Sequence, residues 1–172
     1  VYISMGTVNN DMTTFYKSCI DALKDSDYQV VLSVGNQVDI KQLEKYVTKS
    51  ESIAQFHVLP YVDQIAVLEK ADVFLTHCGM NSVSEALYFK VPLVMYPQTN
   101  EQKGVAFRVN ELGAGMYLSG DSISDIQMAV KELLQQSEYK EQATVISNSF
   151  SKCRGSRAAV EKILSVEGDA QP

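Results

Sequence analysis

The sequence predicts an α/β fold, a doubly wound parallel sheet of about six strands with helices on both faces. Short apolar runs rich in β-branched residues alternate with stretches whose apolar residues recur at helical spacing. Glycine or proline closes several of the apolar runs. Because strands that alternate with helices pair in parallel and are covered on both sides, this order favours a doubly wound sheet.

The first half of the chain carries three strand–helix pairs. VYISM ends at a glycine, YQVVLSV ends at Gly35, and SIAQFHVL contains a weaker strand. The helical stretches lie between these runs, and Asp11 is the candidate N-cap of the first. We therefore expect strands at 1–5, 28–34 and 52–59, and helices at 11–25, 39–48 and 63–70.

The second half continues the alternation and then becomes helical. DVFLT is an apolar strand that stops at His77, VPLVMYP stops at Pro97, and AGMYL is a last short strand. Residues 122–166 read as two or three helices, with a break near Cys153–Gly155. We expect strands at 72–76, 91–97 and 114–118, and helices at 80–89 and 101–112.

Composition limits the class of protein. The chain has 172 residues, of which 45% are hydrophobic and 21% are charged, and this is ordinary for one globular domain. We assign residues 1–167 to the domain and expect a disordered tail at 168–172. A formal net charge of -6 argues against nucleic acid as a partner. No apolar run approaches the roughly 20 residues that a membrane span needs.

The cysteines and the first residues bear on the compartment and on completeness. Three widely spaced cysteines without a CxxC motif suggest neither a disulfide framework nor zinc, and so favour a reducing, cytoplasmic setting. VYISMGT lacks the charged start and long apolar stretch of a signal peptide. It reads as a strand without an initiator Met, so we expect a fragment or an excised domain.

The segment THCGMNS, at residues 76–82, is the first candidate site. Zinc would need about four ligands, whereas His77 and Cys78 are neighbours and the only other histidine is His57, which we expect to be structural. A Cys–His catalytic pair is disfavoured because adjacent residues at a strand end point to opposite sides. We therefore expect Cys78 to be a buried structural residue and assign no metal ligands.

An anion site has more physical support in the same segment. Gly79 permits close backbone approach, and Asn81 and Ser82 offer capping and hydroxyl groups at a helix start. The free N–H groups and the dipole of that helix suit a phosphate, to which His77 can donate. Glu85, one turn on, can accept from a ribose diol, although a solvated helix position is the alternative.

Residues 61–102, YVDQIAVLEKADVFLTHCGMNSVSEALYFKVPLVMYPQTNEQ, resemble the donor-binding signature of family-one UDP-dependent glycosyltransferases. These enzymes have two facing Rossmann-like domains, and the bacterial macrolide glycosyltransferase type is nearest. The resemblance covers essentially the whole chain. It implies a UDP-sugar-binding C-terminal domain of an inverting enzyme that moves a hexose to a hydroxyl of a small hydrophobic acceptor.

The resemblance implies roles for three residues at the nucleoside. Tyr61 stands where an aromatic residue, more usually Trp, stacks on the uracil, although it could be a half-buried surface aromatic. Gln64 matches a glutamine that helps hold the base and ribose, and Glu85 matches the glutamate on the ribose hydroxyls. Asp63 replaces the usual proline before that glutamine, and we expect this departure to loosen the turn.

The diphosphate and the sugar are assigned by the same resemblance. His77 matches the histidine that contacts the diphosphate, and Thr7 matches the hydroxyl residue that reaches it from the opposite side. The helix-start phosphate cradle, which the resemblance also supplies, comprises Gly79, Asn81 and Ser82.

Glu101 and Gln102 match the acidic–amide pair that grips the sugar. The acidic member is more often Asp, and the longer Glu101 could shift the preferred sugar. The alternative for both residues is an ordinary helix N-terminus, since acidic residues favour that place.

The resemblance also implies what the chain lacks. The general base of such enzymes lies in the N-terminal acceptor domain, so we expect no catalytic residue here and donor binding without useful transfer. We expect no cofactor, because UDP-sugar is a substrate and helix N–H groups rather than a metal stabilise the diphosphate. A split glycosyltransferase subunit and a sugar-nucleotide epimerase-like domain remain alternatives. A dehydrogenase is disfavoured, because no GxGxxG follows the first strand.

Overall fold

Six parallel strands form one sheet in the computed structural model, which describes residues 1–6, 12–118, 120–153 and 155–168. Each strand follows a short apolar run of the sequence. The strands are β1 (Tyr2–Ser4), β2 (Gln29–Ser33), β3 (Gln55–Leu59), β4 (Phe74–Thr76), β5 (Leu93–Met95) and β6 (Gly115–Tyr117).

Helices connect these strands and complete the chain. Four of them begin at a side chain that caps the first free N–H groups, namely Asp39, Asp63, Thr99 and Ser122. The helices are α1 (Thr13–Leu23), α2 (Ile40–Lys49), α3 (Gln64–Leu68), α4 (Met80–Tyr88), α5 (Asn100–Glu111), α6 (Ile123–Gln135), α7 (Ser137–Lys152) and α8 (Gly155–Gly168).

The strand order is β3-β2-β1-β4-β5-β6, so the order reverses between β1 and β4. The register places Tyr2 opposite both Val31 of β2 and Phe74 of β4. In doubly wound sheets ligands bind beyond the carboxyl ends of the strands at this reversal. The predicted fold class is confirmed, and its topology directs attention to the ends of β1 and β4.

Two hydrophobic cores lie on opposite faces of the sheet, because successive strand residues point to opposite sides. Ile3, Leu32 and Leu75 belong to the core that includes α1 and α6. Phe74 and Leu93 belong to the core that includes α4, α5 and α7. Strands β4 and β5 are buried along their whole length, which explains why their sequences are continuously apolar rather than alternating.

The predicted elements all form in the predicted order, with strands that are shorter than expected. The segment 122–166 contains three helices, and the break falls near Cys153, as expected. Helix α8 reaches Gly168, which belongs to the predicted tail, so the helix extends one residue into it; residues 169–172 and the candidate cap Asp11 lie outside the described residues. Within the described ranges, no helix is both long and apolar enough to cross a membrane.

Candidate functional site

A cleft of about 680 Å³ opens at the carboxyl ends of β1 and β4. Most of the residues that the sequence singles out line this one cleft. They are Tyr61, Gln64, His77, Gly79, Asn81, Ser82, Glu101 and Gln102. Glu85 stands behind Gln64 rather than in the cleft wall, and Thr7 lies outside the described residues.

Two glycines hold the ring of His77 at the end of β4. A Cβ built on Gly6 would come 2.7 Å from Cε1 and Nε2 of the imidazole, and one on Gly79 would come 2.8 Å from Nε2. Such distances are well inside van der Waals contact. Only residues without a side chain therefore allow the imidazole to lie in this position, with Gly6 on one side and Gly79, at the start of α4, on the other.

The environment of His77 favours the neutral imidazole. Burial lowers the pKa of His77, while the backbone of Ser4 and the carboxylate of Glu101 act in the opposite direction. Nδ1 of His77 is buried and has no partner with hydrogen-bond geometry among the described residues. A neutral ring offers one N–H donor, whereas a protonated ring offers two.

Cys78 is fully buried, as expected for a structural residue. Burial raises the pKa of its thiol to about 12, so the reactive thiolate is not formed at neutral pH. Its φ of 69° lies in the left-handed region, and such a conformation costs a residue other than glycine on the order of 1–3 kcal/mol. Within the described residues, no group of three or more His, Cys, Asp and Glu side chains could hold a metal.

Helix α4 begins at Gly79 without a side-chain cap. The expectation that Asn81 and Ser82 cap it is therefore wrong, because both lie inside its first turn. Ser82 instead accepts a hydrogen bond from Nε2 of Gln64 at 3.2 Å. The first N–H groups of α4 thus remain available at the cleft, together with the positive end of the helix dipole.

Gln64 and Glu85 form one hydrogen-bonded unit. Nε2 of Gln64 donates to Oε2 of Glu85 at 2.6 Å, and the hydroxyl of Tyr2 donates to Oε1 of Gln64 at 3.1 Å. Glu85 is partly buried and partnered, so the alternative of a freely solvated helix residue does not hold. An acidic group placed in this way can accept hydroxyl donors that reach the edge of Gln64.

The start of α5 uses the side chain of Gln102 to cap itself. Thr99 and Gln102 form a reciprocal capping box, in which Oε1 of Gln102 accepts from the backbone N–H groups of Gln98 at 2.7 Å and Thr99 at 3.1 Å. The amide oxygen is thereby occupied, and Nε2 is left as the donor that a ligand can meet. Glu101, in the same turn, is exposed at the cleft.

Tyr61 and Asp63 lie at the other end of the cleft. Tyr61 is 54% exposed, so one side of its ring is open to a flat ligand. Asp63 caps α3 by accepting from the N–H of Ala66 at 3.2 Å. The expected loosening of this turn is therefore corrected, because a cap of this kind stabilises a helix by about 1 kcal/mol.

Part of the cleft lining could not be predicted from the sequence. Tyr2 and Ser4 of β1 and Ser33 of β2 line the cleft floor. Alternation along β1 places Tyr2 and Ser4 on one face, but only the sheet order brings Ser33 opposite Ser4. Thr99 also lines the cleft, and the Thr-x-x-Gln spacing of the capping box was a usable signal for it.

Comparisons with known proteins identify the family of the chain. The profile of the family described as "Glycosyltransferase family 28 C-terminal domain" matches residues 1–159. The chain is 38% identical to the uncharacterized UDP-glucosyltransferase YdhE of Bacillus subtilis over 165 residues, covering 95% of this chain and 40% of that protein. It is 39% identical to the NDP-glycosyltransferase YjiC of the same organism, covering 94% and 40%.

The fold is also that of a solved glycosyltransferase. The glycotransferase of kitacinnamycin superposes with a TM-score of 0.84 at 29% identity, covering 95% of this chain and 42% of that one. The chain thus spans about two-fifths of the length of the relatives that it matches.

Proposed function

Because this chain belongs to the family of glycosyltransferase family 28 C-terminal domains, we propose that it is the UDP-sugar-binding domain of an inverting glycosyltransferase. The observation that carries the proposal is the meeting of three features in one cleft. These are the uncapped N-terminus of α4, the glycine-flanked His77 and the Gln64–Glu85 pair. The first two suit the diphosphate of a nucleoside diphosphate sugar, and the Gln64–Glu85 pair suits its ribose.

The diphosphate fits the start of α4. Free N–H groups and a positive helix end favour an anion, and a nearby phosphate would stabilise the protonated form of His77. The same groups would stabilise the charge that develops on departing UDP during transfer. We propose that these groups act in place of a metal cofactor, and Thr7 would reach the diphosphate from the side of β1.

The nucleoside and the sugar would occupy opposite ends of the cleft. Tyr61 offers an open ring on which the uracil can stack. Gln64 and Glu85 would exchange hydrogen bonds with the ribose hydroxyls, with the Glu85 carboxylate as an acceptor. At the far end, the carboxylate of Glu101 and Nε2 of Gln102 would hold the hexose hydroxyls. The backbone N–H groups of Gly79, Asn81 and Ser82 would cradle the phosphates between them.

The rest of the reaction is assigned to a separate acceptor domain. We propose that an N-terminal domain in the remaining length of such proteins supplies the general base and binds a small hydrophobic acceptor. The hexose would then pass to an acceptor hydroxyl with inversion. The setting we propose is the cytoplasm.

Nucleotide titration of the 172-residue chain tests donor binding. We expect UDP and UDP-glucose to bind more tightly than dTDP, and NAD not to bind, in calorimetry or thermal-shift measurements. Gln64→Ala, His77→Ala and Glu85→Ala should each weaken UDP binding. His57→Ala, at an exposed position of β3, is the control and should bind like the parent. If the three site variants all bind UDP like the parent, the site assignment is wrong.

A turnover assay tests the division of labour. The purified chain, mixed with UDP-glucose and a phenolic acceptor, should release no UDP above the rate without protein. Robust glycoside formation by this chain alone would show that it carries its own base and would contradict the proposal.

A further inference from the structure

We propose that Tyr2 is a positioning residue of this site, whose hydroxyl holds the amide oxygen of Gln64 while Glu85 holds its NH₂ group, and which so presents Gln64 and Glu85 to the donor ribose. The inference rests on the proposed function and adds a residue to it. Tyr2 lies in the first strand, outside the signature segment, and its hydroxyl donates to Oε1 of Gln64 at 3.1 Å.

The ring of Tyr2 is held rigidly. It is 1% exposed and stacks on Phe74 of the neighbouring strand, with ring centroids 4.5 Å apart and planes 12° from parallel. Tyr2 and Phe74 are directly opposite each other in the pairing of β1 with β4, so the backbone of the sheet holds the two stacked rings in place. The hydroxyl at the end of this fixed ring reaches the cleft floor, where it donates to Gln64 at 3.1 Å.

Hydrogen-bond chemistry then determines which way the Gln64 amide faces. A carboxylate only accepts, so the group of Gln64 that lies 2.6 Å from Oε2 of Glu85 must be the NH₂. The amide oxygen therefore faces Tyr2, and the tyrosine hydroxyl must be the donor. Without that donor, the NH₂ group of Gln64 still contacts Glu85 and Ser82, but the amide oxygen loses the hydrogen bond that fixes its end of the side chain.

The hydroxyl of Tyr2 keeps its proton under ordinary conditions. Burial raises the pKa of Tyr2, and the nearby negative charge of Glu85 also raises it, while Ser4 and Ser33 act in the opposite direction. Tyr2 thus remains a donor at neutral pH. Its effect on a ligand passes through Gln64 and concerns the ribose hydroxyls rather than the diphosphate, which meets α4 and His77.

The Tyr2→Phe variant keeps the stacked ring and removes only the donor. In titrations with UDP and 2′-deoxy-UDP, we expect the parent to prefer UDP. Tyr2→Phe should bind UDP about three- to tenfold more weakly, the effect of losing one hydrogen bond, and should lose much of that preference. If Tyr2→Phe leaves the ratio of UDP affinity to 2′-deoxy-UDP affinity unchanged, the role of Tyr2 is overturned, whereas the proposed function is not. A parent that bound neither nucleotide would overturn the proposed function and this inference with it.

A second variant separates positioning from plain stability. In a Gln64→Ala background, Tyr2→Phe should cause little further loss of UDP affinity, because Tyr2 acts through Gln64. If Tyr2→Phe lowers UDP affinity equally in the parent and in the Gln64→Ala variant, Tyr2 has only a structural role. The same conclusion follows if Tyr2→Phe lowers the Tm and weakens the binding of UDP and 2′-deoxy-UDP equally. Tyr46→Phe removes a hydroxyl that is bonded to Asp21 on α1, away from the cleft, and should leave both affinities unchanged.

Discussion

The imidazole of His77 lies against the α-carbon of Gly6, across the carboxyl ends of β1 and β4. A Cβ on Gly6 would come 2.7 Å from two atoms of that ring, and the φ of Gly6 is +83°. A side chain at this position would meet both a steric conflict and an unfavourable backbone conformation. Gly6 therefore limits where His77 can be placed beside the start of α4.

Gly6→Ala should displace His77 and weaken UDP binding. We expect a loss of about 1–3 kcal/mol in the free energy of unfolding, from backbone strain, together with reduced UDP affinity. Urea unfolding and calorimetry measure the two effects. Gly104→Ala is the matched control: a Cβ there meets nothing within 4 Å on the exposed side of α5. It should stabilise the helix by about 0.5–1 kcal/mol and leave UDP binding unchanged.

Gly115→Ala should disrupt the edge of the sheet without touching the cleft. A Cβ on Gly115 would overlap the carbonyl oxygen of Leu93, its partner on β5, and a backbone atom in a ladder cannot move aside. We expect a loss of about 2–4 kcal/mol in the free energy of unfolding, measured in urea. A loss below about 0.5 kcal/mol, the range of neutral surface changes, would show that β5 and β6 pair less closely than the structure has them.

Thr99→Ala should affect both stability and sugar recognition. Loss of the cap on α5 removes about 1 kcal/mol of stability, and it frees the turn that carries Glu101. UDP-glucose affinity should therefore fall more than UDP affinity. Ser122→Ala removes the corresponding cap of α6, far along the chain from this turn, with a similar stability loss. If the two variants bind UDP-glucose equally well, the cap does not position the sugar-binding turn.

The buried His77 should make the protein less stable in mild acid. Burial lowers the folded-state pKa below the usual 6.5, so the unfolded chain binds more protons once the pH falls below 6.5. The contribution of neutral His77 to the free energy of unfolding is fully present above pH 6.5, and it is lost as the pH falls through the folded-state pKa. His77→Asn should lack this decline, whereas His57→Asn should keep it. Unfolding free energies between pH 5 and 8 would reveal it, and identical pH profiles for parent and His77→Asn would contradict it.

The order of elements was predictable because each carries its own periodicity. The apolar run before His77 and the helical spacing after Gly79 identify β4 and α4 without any tertiary information. The strand ends were less predictable, because residues such as Met5 and Tyr96 continue an apolar pattern after the ladder has ended. Burial in the core, rather than pairing in the sheet, accounts for those extra apolar positions.

The site was predictable where its residues share one segment and harder to predict where they do not. The resemblance of 61–102 to a donor-binding signature indicated Gln64, Glu85 and the turn with Glu101 and Gln102, but it could not show that Glu85 is hydrogen-bonded to Gln64. It also suggested caps at Asn81 and Ser82, whose side chains fall within the first turn of α4. Such differences depend on the residue at which a helix starts and on which side chains are neighbours in the fold. Neither can be derived from the spacing of residues in the sequence.

The sequence by itself determined the α/β class, the alternating elements and the family, since periodicity and motif spacing are local properties of the chain. The tertiary structure decided which residues meet. Tyr2 is 62 residues from Gln64, and Gly6 is still further along the chain from His77, yet each pair is in contact because β1 and β4 are neighbours in the sheet. Strand order is set by packing of both faces of the sheet at once, so only the folded chain brings Tyr2 and Gly6 against the segment 61–102.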